Sequence, residues 1–372
     1  MRKIRILVVD DSTVIRRMVS DVLNADCEIE VAATAPNGKI ALDKLAQISP
    51  DVVTLDIEMP EMNGIETLLN LRKTHPSLPV IMFSTLCQRG AESTLDALSK
   101  GASDYVTKPA NVGSVKEAMQ RVRDDLIPKI KHLCKWYRDI KNASVLAPSG
   151  RLPASGRLNL TQQCKTGLRK NSRIDIVTIG VSTGGPNALS EVLGQLPKDF
   201  PVPIVIVQHM PPVFTKYLAD RLNQNCAIEV FEGTLGDSLR AGTAYIAPGD
   251  WHMQVKRKST SIQIDLNQSP PESSCRPAVD VLFRSVADAY GENALAVVLT
   301  GMGQDGLKGA ECIRDAGGTV FAQDEVSSVV WGMPRAVFDA GIADQILPLG
   351  EVAQKLCDSC SRGRTSGRLV RV

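Results

Sequence analysis

The stretch Ile174-Asp-Ile-Val-Thr-Ile-Gly-Val-Ser-Thr-Gly-Gly-Pro186 reads as an apolar strand, Ile174 to Gly180, running into a tight glycine-rich turn and then a helix. Proline suits the first position of that helix, which is expected to continue through Leu196. Strand, turn and helix in this order leave a nest of backbone N–H groups at a strand's carboxyl end, where open α/β sheets carry their chemistry. Three chemistries can use such a nest. A dinucleotide site needs Gly-x-Gly-x-x-Gly and an acid about 20 residues further on. The loop is instead Gly180-Val-Ser-Thr-Gly-Gly185, and the next apolar run, Val202 to Val207, ends in Gln208-His209. A phosphate loop needs Gly-Lys-Ser/Thr, which this turn lacks. The third use is a nucleophilic serine, and Gly180-Val-Ser-Thr-Gly184 fits the Gly-x-Ser-x-Gly elbow.

A serine nucleophile needs a base and a group that orients it. The chain has four histidines, His75, His132, His209 and His252. His209 ends the apolar strand that follows the serine, which in a parallel sheet sets the two side by side at one rim. A third apolar strand, Ala294 to Leu299, ends in Thr300-Gly-Met-Gly-Gln-Asp-Gly306 and brings Asp305 to the same rim. Ser182, His209 and Asp305 are the expected triad. An α/β-hydrolase order would instead use His252 with Asp237 or Asp220. Because His252 sits in the turn Pro248-Gly-Asp-Trp-His-Met253 before a hairpin, Gln254 to Leu266, lining substrate suits it better than acting as base. A base with the ordinary histidine pKa places the acid limb of the rate at roughly pH 6 to 7.

Upstream, residues 1 to 126 hold the apolar runs Ile4 to Val9, Val52 to Leu55, Val80 to Phe83 and Tyr105-Val106, with a weaker one at Glu30 to Ala33. Continuous apolar strands separated by helical patterns mean a parallel sheet covered on both faces. Their carboxyl ends carry Asp10 and Asp11, then Asp56, then Ser84 and Thr85, then Lys108-Pro109. Carboxylates converging on one rim repel unless a cation joins them, and Mg²⁺ suits carboxylates with water and phosphate oxygens. In that reading Asp10, Asp11 and Asp56 hold the metal, Asp56 accepts a phosphoryl group, Lys108 offsets its charge and Ser84 hydrogen-bonds it.

The chain's 372 residues favour two domains, and its 43% hydrophobic and 23% charged content is globular. No apolar run approaches the roughly 20 residues of a membrane span. Met1-Arg-Lys-Ile-Arg5 runs straight into a strand with no signal-peptide pattern, so a cytoplasmic location is expected. Nine cysteines, an odd number with one Cys357-Asp-Ser-Cys360 pair, read as reduced thiols, the pair lying at a helix end. The net charge of +2 is uneven, with eleven Lys and Arg against Asp139 alone between Pro128 and Arg173. This connector opens as an amphipathic basic helix and continues from Ala147 to Ser172 as linker composition. It lacks aromatic interleaving or a recognition motif, so no nucleic-acid partner is expected.

Residues 1–126 resemble the receiver domain of two-component response regulators, through Val8-Val-Asp-Asp-Ser12, Leu55-Asp-Ile-Glu-Met-Pro60, Met62-Asn-Gly64, Met82-Phe-Ser-Thr85 and Gly101-Ala-Ser-Asp-Tyr-Val-Thr-Lys-Pro109. The resemblance implies phosphorylation of Asp56 by a histidine kinase and a switch through Ser84 and Tyr105. Residues 173–360 resemble the catalytic domain of chemotaxis protein-glutamate methylesterases. The matching motifs are Ile179-Gly-Val-Ser-Thr-Gly-Gly-Pro186, Val207-Gln-His-Met-Pro-Pro212, Ala247-Pro-Gly249, Leu299-Thr-Gly-Met-Gly-Gln-Asp-Gly306, Ala322-Gln-Asp324 and Trp331-Gly-Met-Pro334. That resemblance implies a Ser182–His209–Asp305 triad with Thr183 and Met302 beside it. It also implies hydrolysis of glutamate methyl esters, and deamidation of glutamines, on methyl-accepting chemotaxis receptors at the inner membrane face, without insertion. The expected fold class is α/β, with two doubly wound parallel-sheet domains. The first is a flavodoxin-like receiver (1–126) and the second a Rossmann-like esterase domain (173–360) with a β-hairpin insertion. A basic helix and linker (127–172) join them, a basic tail (361–372) follows, and no cofactor is expected in the esterase site.

Overall fold

The computed structural model describes residues 2–108, 114–145, 173–258 and 261–362. The expected linker from Ala147 to Ser172, Pro109, and the tail beyond Arg362 lie outside the described residues. The chain divides into two units, Met1–Asn159 and Leu160–Val372.

In the first unit β1 (Ile4–Val9), α1 (Thr13–Asn24), β2 (Ile29–Ala35), α2 (Gly38–Ile48), β3 (Val52–Asp56), α3 (Gly64–Thr74), β4 (Val80–Ser84), α4 (Gln88–Ser99), β5 (Asp104–Thr107) and α5 (Val115–Val145) alternate along the chain. Ile6 through Val9 are all buried, as a strand covered on both faces requires. Side-chain caps start the helices: Ser12 accepts from the Ile15 N–H, and Asn63 with Glu66 closes a capping box on α3. The strands are parallel in the order β2-β1-β3-β4-β5. The order reverses between β1 and β3, so Asp10 and Asp56 flank the crevice where such sheets bind ligands.

The sequence suggests a boundary at 126/127 with a separate basic helix beyond it. Instead, α5 is one helix of 31 residues that passes through Pro128. Leu126, Ile127, Ile130, Leu133 and Cys134 are buried, so the apolar stripe read as connector belongs to the first unit's core. Two of its cations are also consumed there: Lys129 stands 3.5 Å from Asp104 and 3.0 Å from Asp125, and Lys131 pairs with Asp26 and Glu28.

The second unit contains β6 (Ile176–Val181), α6 (Gly185–Gly194), β7 (Ile204–Gln208), α7 (Phe214–Asn225), β8 (Glu229–Glu232), β9 (Thr243–Ile246), β10 (His252–Lys258), β11 (Ser261–Asn267), α8 (Val279–Tyr290), β12 (Ala294–Val298), α9 (Leu307–Asp315), β13 (Thr319–Gln323), α10 (Met333–Asp339), β14 (Gln345–Leu347) and α11 (Leu349–Ser361). Seven of these strands form a parallel sheet ordered β14-β13-β12-β6-β7-β9-β8. The first strand, β6, lies between β12 and β7, so its end is again a point of reversal. The expected hairpin is present: β10 and β11 pair antiparallel, with Val255 and Ile264 buried in the same core as Val279 and Phe283 of α8. The α/β fold with two doubly wound parallel sheets is therefore as the strand pattern predicted.

Candidate active site

Three neighbouring strand ends meet at the second unit's reversal point. Ser182 follows β6, and its N–H donates to Thr300 O (3.0 Å) beyond β12, while the His209 N–H donates to Val181 O (3.1 Å). The chain then turns tightly, with the Gly185 N–H donating to Ser182 O at 2.8 Å. The left-handed conformation in this turn falls on Gly184 (φ 78°), not on the serine. Packing against β12 is close: a Cβ on Gly301 would stand 2.9 Å from Ser182 Cβ and 2.3 Å from Met333 Sδ.

His209 Nε2 lies 2.8 Å from Asp305 Oδ2. The same carboxylate accepts the Val279 N–H at 2.8 Å and the Asp280 N–H at 3.0 Å, so the start of α8 holds it in place. Burial works against the charge on Asp305, but the His209 hydrogen bond and these backbone donors outweigh it and keep its pKa below the usual carboxylate value. Burial likewise disfavours protonated His209. The Asp305 hydrogen bond and the neighbouring Cys275 prevail, raising it to about 10.

An Asp305 carboxylate can only accept, so Nε2 carries a proton in either state of the ring, and the lone pair falls on Nδ1 once the ring is neutral. Ser182 Oγ makes no hydrogen bond among the described residues, which leaves the serine arm of the triad undrawn. The Thr183 and Met302 backbone N–H groups are also uncommitted among them. His252, the competing base, is buried; its Nε2 lies 3.1 Å from Pro270 O, and its Nδ1 accepts the Ala278 N–H at 3.2 Å. Asp237 caps Thr234, and Asp220 pairs with Lys216 at the surface, so the alternative set does not assemble.

Four residues escaped sequence reasoning. Gln208 Nε2 donates to Ser182 O (3.0 Å) and His209 O (3.2 Å), tying nucleophile and base backbones together. Asp280 Oδ1 accepts from the Gly306 N–H (3.0 Å) and Gly309 N–H (2.7 Å), bracing the loop that carries Asp305. Thr300 Oγ1 donates to Thr183 O at 2.9 Å. Cys275 Sγ lies 3.7 Å from His209 Nδ1. Of these, Gln208, next to His209, and Thr300, opening the Asp305 loop, had a local signal at their strand ends.

The first unit's crevice gathers Asp10, Asp11 and Asp56, whose ligand atoms lie within 4.8 Å of one another. Asp10 and Asp56 are buried and Asp11 is exposed. Lys108 Nζ stands 2.7 Å from Asp56 Oδ2 and 3.0 Å from Asp10 Oδ2. These ion-pair contacts leave both oxygens without an aligned hydrogen bond. Burial and the adjacent Asp10 raise the Asp56 pKa to about 6 against the pull of Lys108. Two buried carboxylate oxygens whose partner is the single Lys108 ammonium, beside an exposed third carboxylate, fit a hard divalent cation. Asp56, Ser84, Thr85 and Lys108 line a cavity of about 210 Å³ there. Ser84 Oγ donates to Gly90 O at 3.1 Å, and Tyr105 is buried.

The fold is that of a receiver-type parallel sheet followed by a second doubly wound α/β domain whose neighbouring strand ends carry Ser182, His209 and Asp305. Family models match both parts, "Response regulator receiver domain" over residues 6–120 and "CheB methylesterase" over 177–356. A protein-glutamate methylesterase/protein-glutamine glutaminase of Trichodesmium erythraeum is 52% identical over 96% of this chain and 99% of its own length. Another so named, from Nocardioides sp., is 50% identical over 98% of each. The crystal structure of the Thermotoga maritima CheB methylesterase catalytic domain is 44% identical, covering 50% of this chain and 99% of that one, with a TM-score of 0.49. The chain belongs to the family of protein-glutamate methylesterases/protein-glutamine glutaminases. Among the described residues, no helix is long and apolar enough to cross a membrane.

Proposed function

We propose that this chain removes methyl groups from glutamate methyl esters of chemotaxis receptors and deamidates receptor glutamines, under control of phosphorylation at Asp56. The observation that carries the reading is the 2.8 Å His209–Asp305 contact at the strand rim that also bears Ser182. Ser182 Oγ attacks the ester carbonyl and His209 Nδ1 takes its proton, Nε2–H being committed to Asp305. The Thr183 and Met302 N–H groups receive the oxyanion. The imidazolium returns the proton to methoxide, methanol leaves, and water activated by the same nitrogen releases the acyl group.

In the receiver, Asp10, Asp11 and Asp56 would hold Mg²⁺, which neutralises phosphoryl charge when bound. Asp56 takes the phosphoryl group from a histidine kinase, Lys108 pairs with it and Ser84 hydrogen-bonds it, with Tyr105 answering on the neighbouring strand. The work is divided between a receiver that includes the described part of α5 and a catalytic domain at 173–360, acting from the cytoplasm on receptors at the membrane face. The test is methanol release from methylated receptor membranes, with and without a small phosphodonor. Release that the phosphodonor accelerates supports the reading; no release under either condition refutes it.

A further inference from the structure

Cys275 has no task in ester hydrolysis, yet its Sγ lies 3.7 Å from His209 Nδ1, the nitrogen that must take the serine proton. Its position is built. The Glu272 and Cys275 backbones exchange two hydrogen bonds (3.1 and 2.8 Å), and Arg284 of α8 grips the Glu272 carboxylate at 2.6 and 2.8 Å. On the opposite ring edge Asp305 fixes the Nε2 proton and is itself held by two backbone N–H groups. Nδ1 thus faces the side where the sulfur lies.

An imidazole nitrogen facing a cysteine sulfur, with a carboxylate behind the ring, offers once both donors are deprotonated the donor set and outer shell of thiolate–imidazole zinc sites. Zn–S bonds of about 2.3 Å and Zn–N bonds of about 2.0 Å at a tetrahedral angle span about 3.5 Å. The observed separation needs a shift of only a few tenths of an ångström. His209, Cys275 and Asp305 offer ligand atoms within 4.8 Å of one another, but Asp305 lies across the ring and serves as the orienting carboxylate. Cys275 and His209 are both of intermediate burial, neither sealed in the core. The nitrogen–sulfur pair selects a soft or borderline cation over Mg²⁺.

We propose that His209 Nδ1 and Cys275 Sγ form an inhibitory site for a thiophilic divalent cation of the Zn²⁺ class, with water in the remaining positions. The thiol and the imidazolium Nδ1 each lose a proton to solvent, the thiolate and the freed imidazole lone pair each bond to the ion, and no electrons are transferred. The ion occupies the lone pair that would receive the Ser182 proton, so metal binding and turnover exclude each other. The inhibition rests on His209 being the base; the binding does not.

The test uses the full-length protein freed of metal by a chelator and titrated with Co²⁺. Wild type should develop a thiolate-to-cobalt charge-transfer band that Zn²⁺ displaces, and both Cys275→Ser and His209→Gln should lose it while melting cooperatively. No band in wild type, or a band that persists in either variant, overturns the site. Zn²⁺ should suppress methanol release by wild type, a chelator should restore it, and Cys275→Ser should need roughly tenfold more Zn²⁺ or higher. Equal sensitivity of the two proteins overturns the proposal. A cobalt band lost in both variants, with undiminished turnover of zinc-loaded wild type, overturns the inhibitory role and with it His209 as base.

Discussion

Replacing Asp305 with asparagine removes one charge and one acceptor from a carboxylate that receives three hydrogen bonds. Two donors, His209 Nε2 and the Val279 N–H, converge on Oδ2, and the Asp280 N–H meets Oδ1. The asparagine oxygen should take the two-donor position, leaving its NH₂ against the Asp280 N–H. One buried donor then goes unsatisfied, lowering stability by about 1–3 kcal/mol. For catalysis, an imidazolium and a carboxylate with charge centres about 4 Å apart attract by about 4 kcal/mol at an effective dielectric of 20. Losing that attraction in the transition state slows turnover by on the order of 10³. If the amide flips, its NH₂ forces the wrong imidazole tautomer and the loss reaches about 10⁴, as in serine proteases. The variant also removes what holds the His209 pKa up, so less alkali is needed to free the base, and the acid limb should shift to lower pH. Methanol release measured from about pH 5 to 10, with a thermal melt for folding, reads both effects. A loss under about tenfold, or an acid limb that stays in place, would assign the orienting role to another acid.

Gly301→Ala should impair the esterase without touching its chemistry directly, because the new Cβ collides with Met333 Sδ and Ser182 Cβ. Normal turnover in that variant would mean the strand end is free to move. His252→Gln should lower the melting temperature through lost buried hydrogen bonds, yet leave the pH profile of turnover unchanged; a moved profile would revive His252 as base. Asp56→Asn should abolish acyl-phosphate formation, which a phosphorylation gel checks, and phosphate retained elsewhere would refute the acceptor assignment. Since burial raises Asp56 to about 6, Mg²⁺ must displace a proton below that pH. Mg²⁺ affinity should therefore rise with pH through about 6 and level off above it, and calorimetry showing a flat dependence would contradict this.

Much of the architecture was legible because continuous apolar runs such as Ile4 to Val9 and Ala294 to Val298 can only be two-sided parallel strands, and their ends name the site residues. Ser182, His209 and Asp305 were grouped on that basis; His209 Nε2 lies 2.8 Å from Asp305 Oδ2, while Ser182 Oγ makes no hydrogen bond among the described residues. The boundary at 126/127 was placed by the basic composition that begins there, whereas α5 runs through it without a break. Only the folded structure reveals that Lys129 and Lys131 have acidic partners and that Ile130 and Leu133 have a core to enter. Cys275 and Asp280 were invisible for another reason. Cys275 reaches His209 from 66 residues away through a segment with no periodicity to read, and Asp280 reaches the Asp305 loop from 25 residues away at the start of α8, where an acid reads as an ordinary helix start.

The central claim is that His209, oriented by Asp305, activates Ser182. Fluorophosphonate labelling of the full-length protein, mapped by mass spectrometry, tests it most directly, because the reagent reacts only with an activated serine. The account predicts one adduct on Ser182, lost in Ser182→Ala and strongly slowed in His209→Gln and Asp305→Asn. An unlabelled wild type, or a Ser182 adduct that forms equally fast without His209, would contradict it.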